Sequence, residues 1–187
     1  MQSDAKRQLG SQGEDIVKRW LLGQGYSILP ASLIQTGGAP MLLERSYKAI
    51  LPDNLTWKDR HQRWIEVKTK SNPTTHESWP NRKEHGLPLR HWAAYEFVQQ
   101  QTQTPVTLAI LELSSGTLLT ATLDELKATA RIYPMKGEYH IFLARDAFQE
   151  HPLEKMTLPE QIPPRAARTI EQQQQQRPRL IREVNRE

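Results

Sequence analysis

Cysteine is absent from this chain of 187 residues, which excludes a disulfide framework, a thiol nucleophile and cysteine-ligated zinc. The absence fits a reducing compartment, and a cytoplasmic location is expected. Apolar runs are short. None approaches the ~18–20 residues that cross a bilayer, so no membrane partner is expected. The first ten residues are polar and hold no apolar stretch of the kind that heads a secretion signal. Charge of one sign is in little excess: 25 Lys and Arg against 21 Asp and Glu leave a net +4. That is compatible with nucleic acid but does not single it out. Gly37-Gly38 lacks the following Lys-Ser/Thr of a phosphate-cradling loop. His76, His85 and His91 lack metal-ligand spacing, so zinc is not expected.

What is present reads as an α/β chain. Leu9, Ile16, Val17, Trp20 and Leu21 recur near the helical period and predict a helix over residues 6–23 that stops at Gly23 and Gly25. Residues 26–34 read as a strand, kinked or at an edge because of Pro30, and residues 36–40 as a turn. Residues 41–50 are ambiguous. Residues 54–57 and 63–69 flank the polar turn Lys58-Asp59-Arg60-His61 and predict a hairpin. Residues 71–88, with Pro73, Pro80, Pro88 and several charges, are expected to form a polar loop. A helix over 89–103, a buried strand over 106–111 and a strand over 117–122 follow. Next come a short helix capped by Thr122 or Asp124, a strand over 139–143 and a helical turn over 144–149. Beyond His151, prolines, arginines and a glutamine run predict a flexible Pro/Gln/Arg-rich tail over residues 151–187. The compact domain is expected over residues 8–148, as a mixed central sheet flanked by helices.

The most informative stretch is Trp64-Ile65-Glu66-Val67-Lys68. On a strand, Glu66 and Lys68 share one face, and Ile65 and Val67 the other. Centring the hairpin turn between Asp59 and Arg60 sets Asp53 opposite Glu66, with about 5 Å between Cβ atoms. Two carboxylates that close repel unless a cation lies between them. Asp53, Glu66 and an adjacent lysine can together hold a hard divalent ion and a water, the parts that phosphodiester hydrolysis requires. Lys68 would orient the water or stabilise the transition-state charge. The plain alternative for Glu66 and Lys68 is a solvent-facing strand carrying an ion pair. Lys70, Arg82 and Lys83 are candidates for backbone phosphates near the same edge, and His85 is another. Tyr95 and Gln99 lie four apart on one face of the second helix and are both candidates to reach toward the site, with Gln99 a further candidate for nucleic acid. Trp92, Tyr95 and Val98 read as core.

This arrangement resembles the PD-(D/E)xK nuclease superfamily, with Pro52-Asp53 as the PD half and Glu66-Val67-Lys68 as the ExK half. Gly13-Glu14 in the first helix and Gly25-Tyr26 after it resemble the Holliday-junction-resolvase-like branch. The resemblance spans residues 9–113. It implies a restriction-endonuclease-like αβββαβ core and an endonuclease dependent on Mg²⁺ (or Mn²⁺), hydrolysing DNA phosphodiester bonds with a metal-activated water. It implies metal ligation by Asp53, Glu66 and Glu14, with Lys68 completing the catalytic set. DNA is the expected substrate, with RNA left open, and a homodimer is implied because two cuts need two sites. The alternative is a non-catalytic module of the same fold that binds nucleic acid or protein. The segment after Lys70 and the tail lie outside the minimal pattern, and the structure or sequence that is cut stays open.

Overall fold

The computed structural model describes residues 2–34, 39–44, 47–76, 79–135 and 137–153. The tail beyond residue 153 and most of the turn expected over 36–40 lie outside these. Helix α1 (Gln2–Gly23) buries Val17 and Leu21 and ends where Gly25 adopts φ 83°. There the Tyr26 N–H returns to the Leu21 carbonyl at 3.0 Å. Strand β1 (Ser27–Pro30) follows and gives way after Pro30 to a 3-10 turn (Ala31–Leu33), so the strand is shorter than expected. The ambiguous region holds a small hairpin of β2 (Met41–Leu43) and β3 (Lys48–Ile50). Then come β4 (Asn54–Lys58) and β5 (His61–Lys70), joined as foreseen. Asp59 and Arg60 both take left-handed φ values, 51° and 67°, the geometry of a type I′ turn. The register pairs Asn54 with Ile65, and one step further brings Asp53 level with Glu66.

The polar loop expected over residues 71–88 is instead a pair of strands, β6 (Thr74–His76) and β7 (Trp79–Pro88). Pro80 and Pro88 sit near the two ends of β7, where a missing N–H is tolerated. The charges between them are neutralised by partners: Arg82 Nε stands 2.7 Å from Glu84 Oε1, and His85 Nε2 stands 2.9 Å from Glu112 Oε1. Neither pairing leaves an alternating apolar trace in the sequence.

Helix α2 (Leu89–Thr102) leads into β8 (Val106–Glu112), whose seven residues are all buried, and then β9 (Thr117–Thr122). Thr122 caps α3 (Leu123–Lys127) through a reciprocal pairing with Glu125. Strand β10 (Arg131–Met135) is a further departure from the expected elements. It pairs with β11 (Glu138–Ala144), and a 3-10 turn (Arg145–Ala147) connects to β12 (Gln149–Pro152). The last strand carries the sheet past the expected boundary at Phe148 and into the first residues of the expected tail.

The central sheet has the order β1-β4-β5-β8-β9-β12. The β5/β8 pair is parallel, and the other pairs are antiparallel. The sheet is therefore mixed, with α2 in the crossover between its two parallel strands. One face packs Ile65, Val67 and Ala109 against Val17 and Leu21 of α1. The other packs Trp64, Leu108 and Ile110 with Trp92, Tyr95 and Val98 of α2. The α/β class and the αβββαβ order are those expected, with β2–β3 and β6–β7 inserted. The second sheet, β10-β11-β7-β6, adds Leu87, Ile141 and Leu143 to the α2-side core.

Candidate active site

The middle of β5 is where core and chemistry meet. Trp64, Ile65, Glu66 and Val67 are all buried, because helices cover both faces of the sheet. Glu66 is 3% exposed, so it is not part of a solvent-facing strand. Its Oε1 accepts from the Tyr95 hydroxyl at 2.5 Å and pairs with the Lys68 ammonium. Asp53 comes from the turn just before β4, where the Ala31 N–H holds its carbonyl at 2.8 Å. Its Oδ2 accepts from the Val67 N–H, also at 2.8 Å. Asp53 is thus fastened to the strand residue between Glu66 and Lys68.

The electrostatics follow from this packing. Burial, then the charge of Glu66, push the Asp53 carboxyl up to about 7. The Val67 N–H, Lys68 and Lys18 oppose that rise without cancelling it. Burial disfavours the Lys68 ammonium, but the charge of Glu66 and its hydrogen bond, helped by Asp53 and Glu14, hold its pKa above the ordinary value. Lys68 is therefore a cation at neutral pH. Burial and the Lys68 charge lower Lys70, whose Nζ donates to the Gly86 carbonyl at 2.9 Å. Burial and then the charge of Glu66 push the Tyr95 hydroxyl well above the usual range, so it acts only as a donor to Glu66.

Glu14 projects from α1 toward this group. Burial and then the charge of Asp53 raise its pKa, and its Oε2 lies 3.6 Å from Lys18 Nζ. The helix comes close because residue 13 is glycine: a Cβ there would stand 1.9 Å from the Thr69 hydroxyl. Glu14, Asp53, Lys68 and Lys70 line an open cleft of about 510 Å³, with Glu66 behind them. Among the described residues, no group of three or more His, Asp or Glu side chains is gathered closely enough to hold a metal ion.

The remaining candidates lie elsewhere. His85 is buried against Glu112, and Arg82 reaches Glu84 and, through Nη2, the Thr129 carbonyl at 2.6 Å. Gln99 accepts from the Val106 N–H at 2.9 Å and donates to both Asp124 oxygens at 3.2 and 3.1 Å, so it does not join the cleft. Lys83 is exposed on β7. Of the pair Tyr95 and Gln99, it is Tyr95, read mainly as core, that reaches the site through its hydroxyl, while Lys18 is a participant whose signal in the sequence is its i,i+4 spacing from Glu14.

No protein-family model matches the chain. No curated protein matches it either. Among solved structures, it is similar to Hjc, a Holliday junction resolvase from the archaeal hyperthermophile Archaeoglobus fulgidus. The identity is 12%, with 74% of this chain and 91% of that chain covered and a TM-score of 0.49. It is also similar to D212, a nuclease from a fusselovirus, at 8% identity, with 81% and 88% covered and a TM-score of 0.42. Among the described residues, no helix is long and apolar enough to cross a membrane.

Proposed function

We propose that this protein is a divalent-metal-dependent endonuclease that hydrolyses DNA phosphodiester bonds at the Asp53–Glu66–Lys68 cleft. The observation that carries this reading is the convergence on one stretch of β5. Asp53 is bonded to the Val67 N–H, Glu66 is close enough to raise its proton affinity, and Lys68 is paired with Glu66.

The donor set fits a hard cation. It is anionic and all oxygen, and Asp53 carries an elevated affinity for positive charge that a proton or a metal would satisfy. An ion such as Mg²⁺ (or Mn²⁺) takes one or two carboxylates and keeps several waters, which suits an open cleft better than a closed cage. Asp53 and Glu66 would hold it, with Glu14 in support from α1. When bound, the cation would acidify a water and neutralise charge on the phosphate.

The chain's own groups account for the rest. Lys68, kept protonated by its acidic neighbours, is a fixed positive charge for the phosphate oxygens and an orienting donor for the attacking water. Being charged, it is not the general base. Tyr95 and the Val67 N–H hold the two carboxylates in place, so little reorganisation is needed as charge develops. Lys70, lining the same cleft, adds positive potential for the DNA backbone.

The test is cleavage of plasmid, single-stranded and branched DNA with Mg²⁺ or Mn²⁺. Lys68→Ala should lower the rate by roughly 100-fold or more, the scale for loss of one preorganised charge donor. Cleavage by Lys68→Ala and Asp53→Asn at the parental rate would leave the non-catalytic binding module as the better account.

A further inference from the structure

A second cleft, of about 180 Å³, lies on the α1 face of the central sheet. Its walls include Trp20 from the end of α1, Tyr26 from the connection to β1, Lys58 and Arg63 from the β4–β5 hairpin, Thr107 from β8 and His151 from β12. It is separate from the Asp53 cleft. It draws on Arg63 and Ile65 of β5, whereas the other draws on Val67 to Ser71. The nearest lining residues of the two, Ile65 and Val67, are two strand steps apart, about 7 Å, and Arg63 is four steps from Val67, about 13 Å.

Three features of this cleft point to a ligand. Thr107 is 5% exposed, and its hydroxyl has no hydrogen-bond partner in the protein. The Arg63 Nε is likewise buried and unpaired. Folded proteins leave few such groups unsatisfied, so two in one cleft mark a place where an acceptor arrives from outside. The lining is also cationic: Lys58 and Arg63 line the cleft and no carboxylate does, although Glu125 of α3 lies within electrostatic reach of Arg63. The third feature is aromatic. The Trp20 ring lies 4.8 Å from that of His151, tilted by 48°, and the Lys58 ammonium sits 5.3 Å above the Tyr26 ring. Aromatic surface beside a cationic, hydroxyl-bearing pocket suits a planar ring joined to a phosphate.

We propose that this cleft binds a nucleoside monophosphate unit, with its phosphate on Arg63 and Thr107 and its ring against the Trp20–His151 pair. Stacking of this kind is tolerant of base identity, so the site would recognise a nucleotide without reading sequence. The unit could belong to a nucleic-acid strand or be a free nucleotide. Neither case requires cleavage at the Asp53 site, so the proposal stands or falls apart from the nuclease reading.

Calorimetric titration of the full chain in EDTA, where metal-dependent cleavage is silent, tests this. The probes are dAMP, deoxyadenosine, inorganic phosphate and a 5′-phosphorylated hexanucleotide. Saturable binding of dAMP is expected, at least tenfold tighter than deoxyadenosine or phosphate alone. Hexanucleotide binding at least as tight as dAMP would identify a strand as the source, and weaker binding the free nucleotide. Arg63→Gln and Thr107→Val should each weaken the nucleotide tenfold or more. Thr107→Val removes an unpaired buried hydroxyl at nearly constant shape, so its melting temperature should hold or rise. Absence of saturable dAMP binding, equal affinity for inorganic phosphate, or undiminished binding by a folded Thr107→Val would overturn the proposal.

Discussion

Replacing Asp53 by asparagine should stabilise the metal-free protein at alkaline pH. The Asp53 carboxyl, ordinarily 3.8, is raised to about 7 by burial and then by the charge of Glu66. Between those two values the native state holds a proton that the unfolded chain has released. Stability therefore falls as pH rises through this window, and the full penalty applies above pH 7. A rise of roughly 3 pKa units at about 1.4 kcal/mol each is about 4 kcal/mol. Solvent relaxation around a side chain that is not fully buried trims this to about 2–4 kcal/mol. Asparagine carries no charge, yet its amide oxygen can still accept from the Val67 N–H. In EDTA at pH 8, Asp53→Asn should exceed the parent by that amount, or roughly 5–15 °C in melting temperature, and the two should converge near pH 4. Buried His85 and half-buried His91 and His151, with pKa values lowered by burial, make stability rise with pH, the opposite sense, and cancel when the two proteins are subtracted. Adding Mg²⁺ at pH 8 should raise the parent by about 2.7 kcal/mol at a hundred times its dissociation constant, and leave the variant unmoved. Urea denaturation from pH 4 to 8 is the assay. A difference between the proteins that stays flat across that range would refute the reasoning.

Tyr95→Phe removes the phenol that donates to Glu66 and should cost about 1.5–3 kcal/mol in urea denaturation, with a loss of cleavage rate as Glu66 loosens. Gly13→Ala places a methyl 1.9 Å from the Thr69 hydroxyl and should destabilise by about 1–3 kcal/mol. Adding Thr69→Ala should recover most of that, seen as a favourable coupling in a double-mutant cycle. Glu112→Gln removes the charge that pairs with Arg145 and His85, and because Arg145 keeps Glu150 the loss should be about 2–4 kcal/mol at neutral pH. The Glu112 carboxyl is held down at about 2, so its contribution is present above pH 4.5 and fades as pH falls toward 2 in acid denaturation of the parent.

The elements that came through from the sequence are those whose signal is local. The Asp59-Arg60 turn fixed the β4–β5 register, and with it the placing of Asp53 level with Glu66. Val106 to Leu111 is apolar on both faces because helices cover both sides of the sheet, and it read as a buried strand for that reason. Strand β7 did not come through. Arg82, Glu84 and His85 are accommodated by an ion pair along the strand and by a carboxylate 27 residues away on β8. Such pairings are invisible to a search for apolar periodicity. The same applies to the Tyr95 hydroxyl: helix spacing shows which face it occupies but not that a carboxylate on β5 meets it there. Lys18 was within reach of the i,i+4 rule, since Glu14 four residues earlier was already under consideration.

Burial of Glu66 separates it from a carboxylate on a solvent-facing strand. A surface ion pair with Lys68 would cost the fold little and contribute little, about 0–1 kcal/mol. Glu66 instead lies at 3% exposure between two covered faces, where each buried ion costs several kcal/mol before its partners repay it. Its neighbours repay only part: Lys68 and Tyr95 hold Oε1, while its charge still drives Asp53 upward. An apolar residue at position 66 would pack between the same helices without that penalty and would relieve Asp53 as well. Two adjacent carboxylates that burden each other, on a strand with every reason to be apolar, are what the proposed cation site would require. The cost to the empty fold and the capacity to hold that ion are then one property, which is why stability and cleavage should move in opposite directions when Asp53 is neutralised.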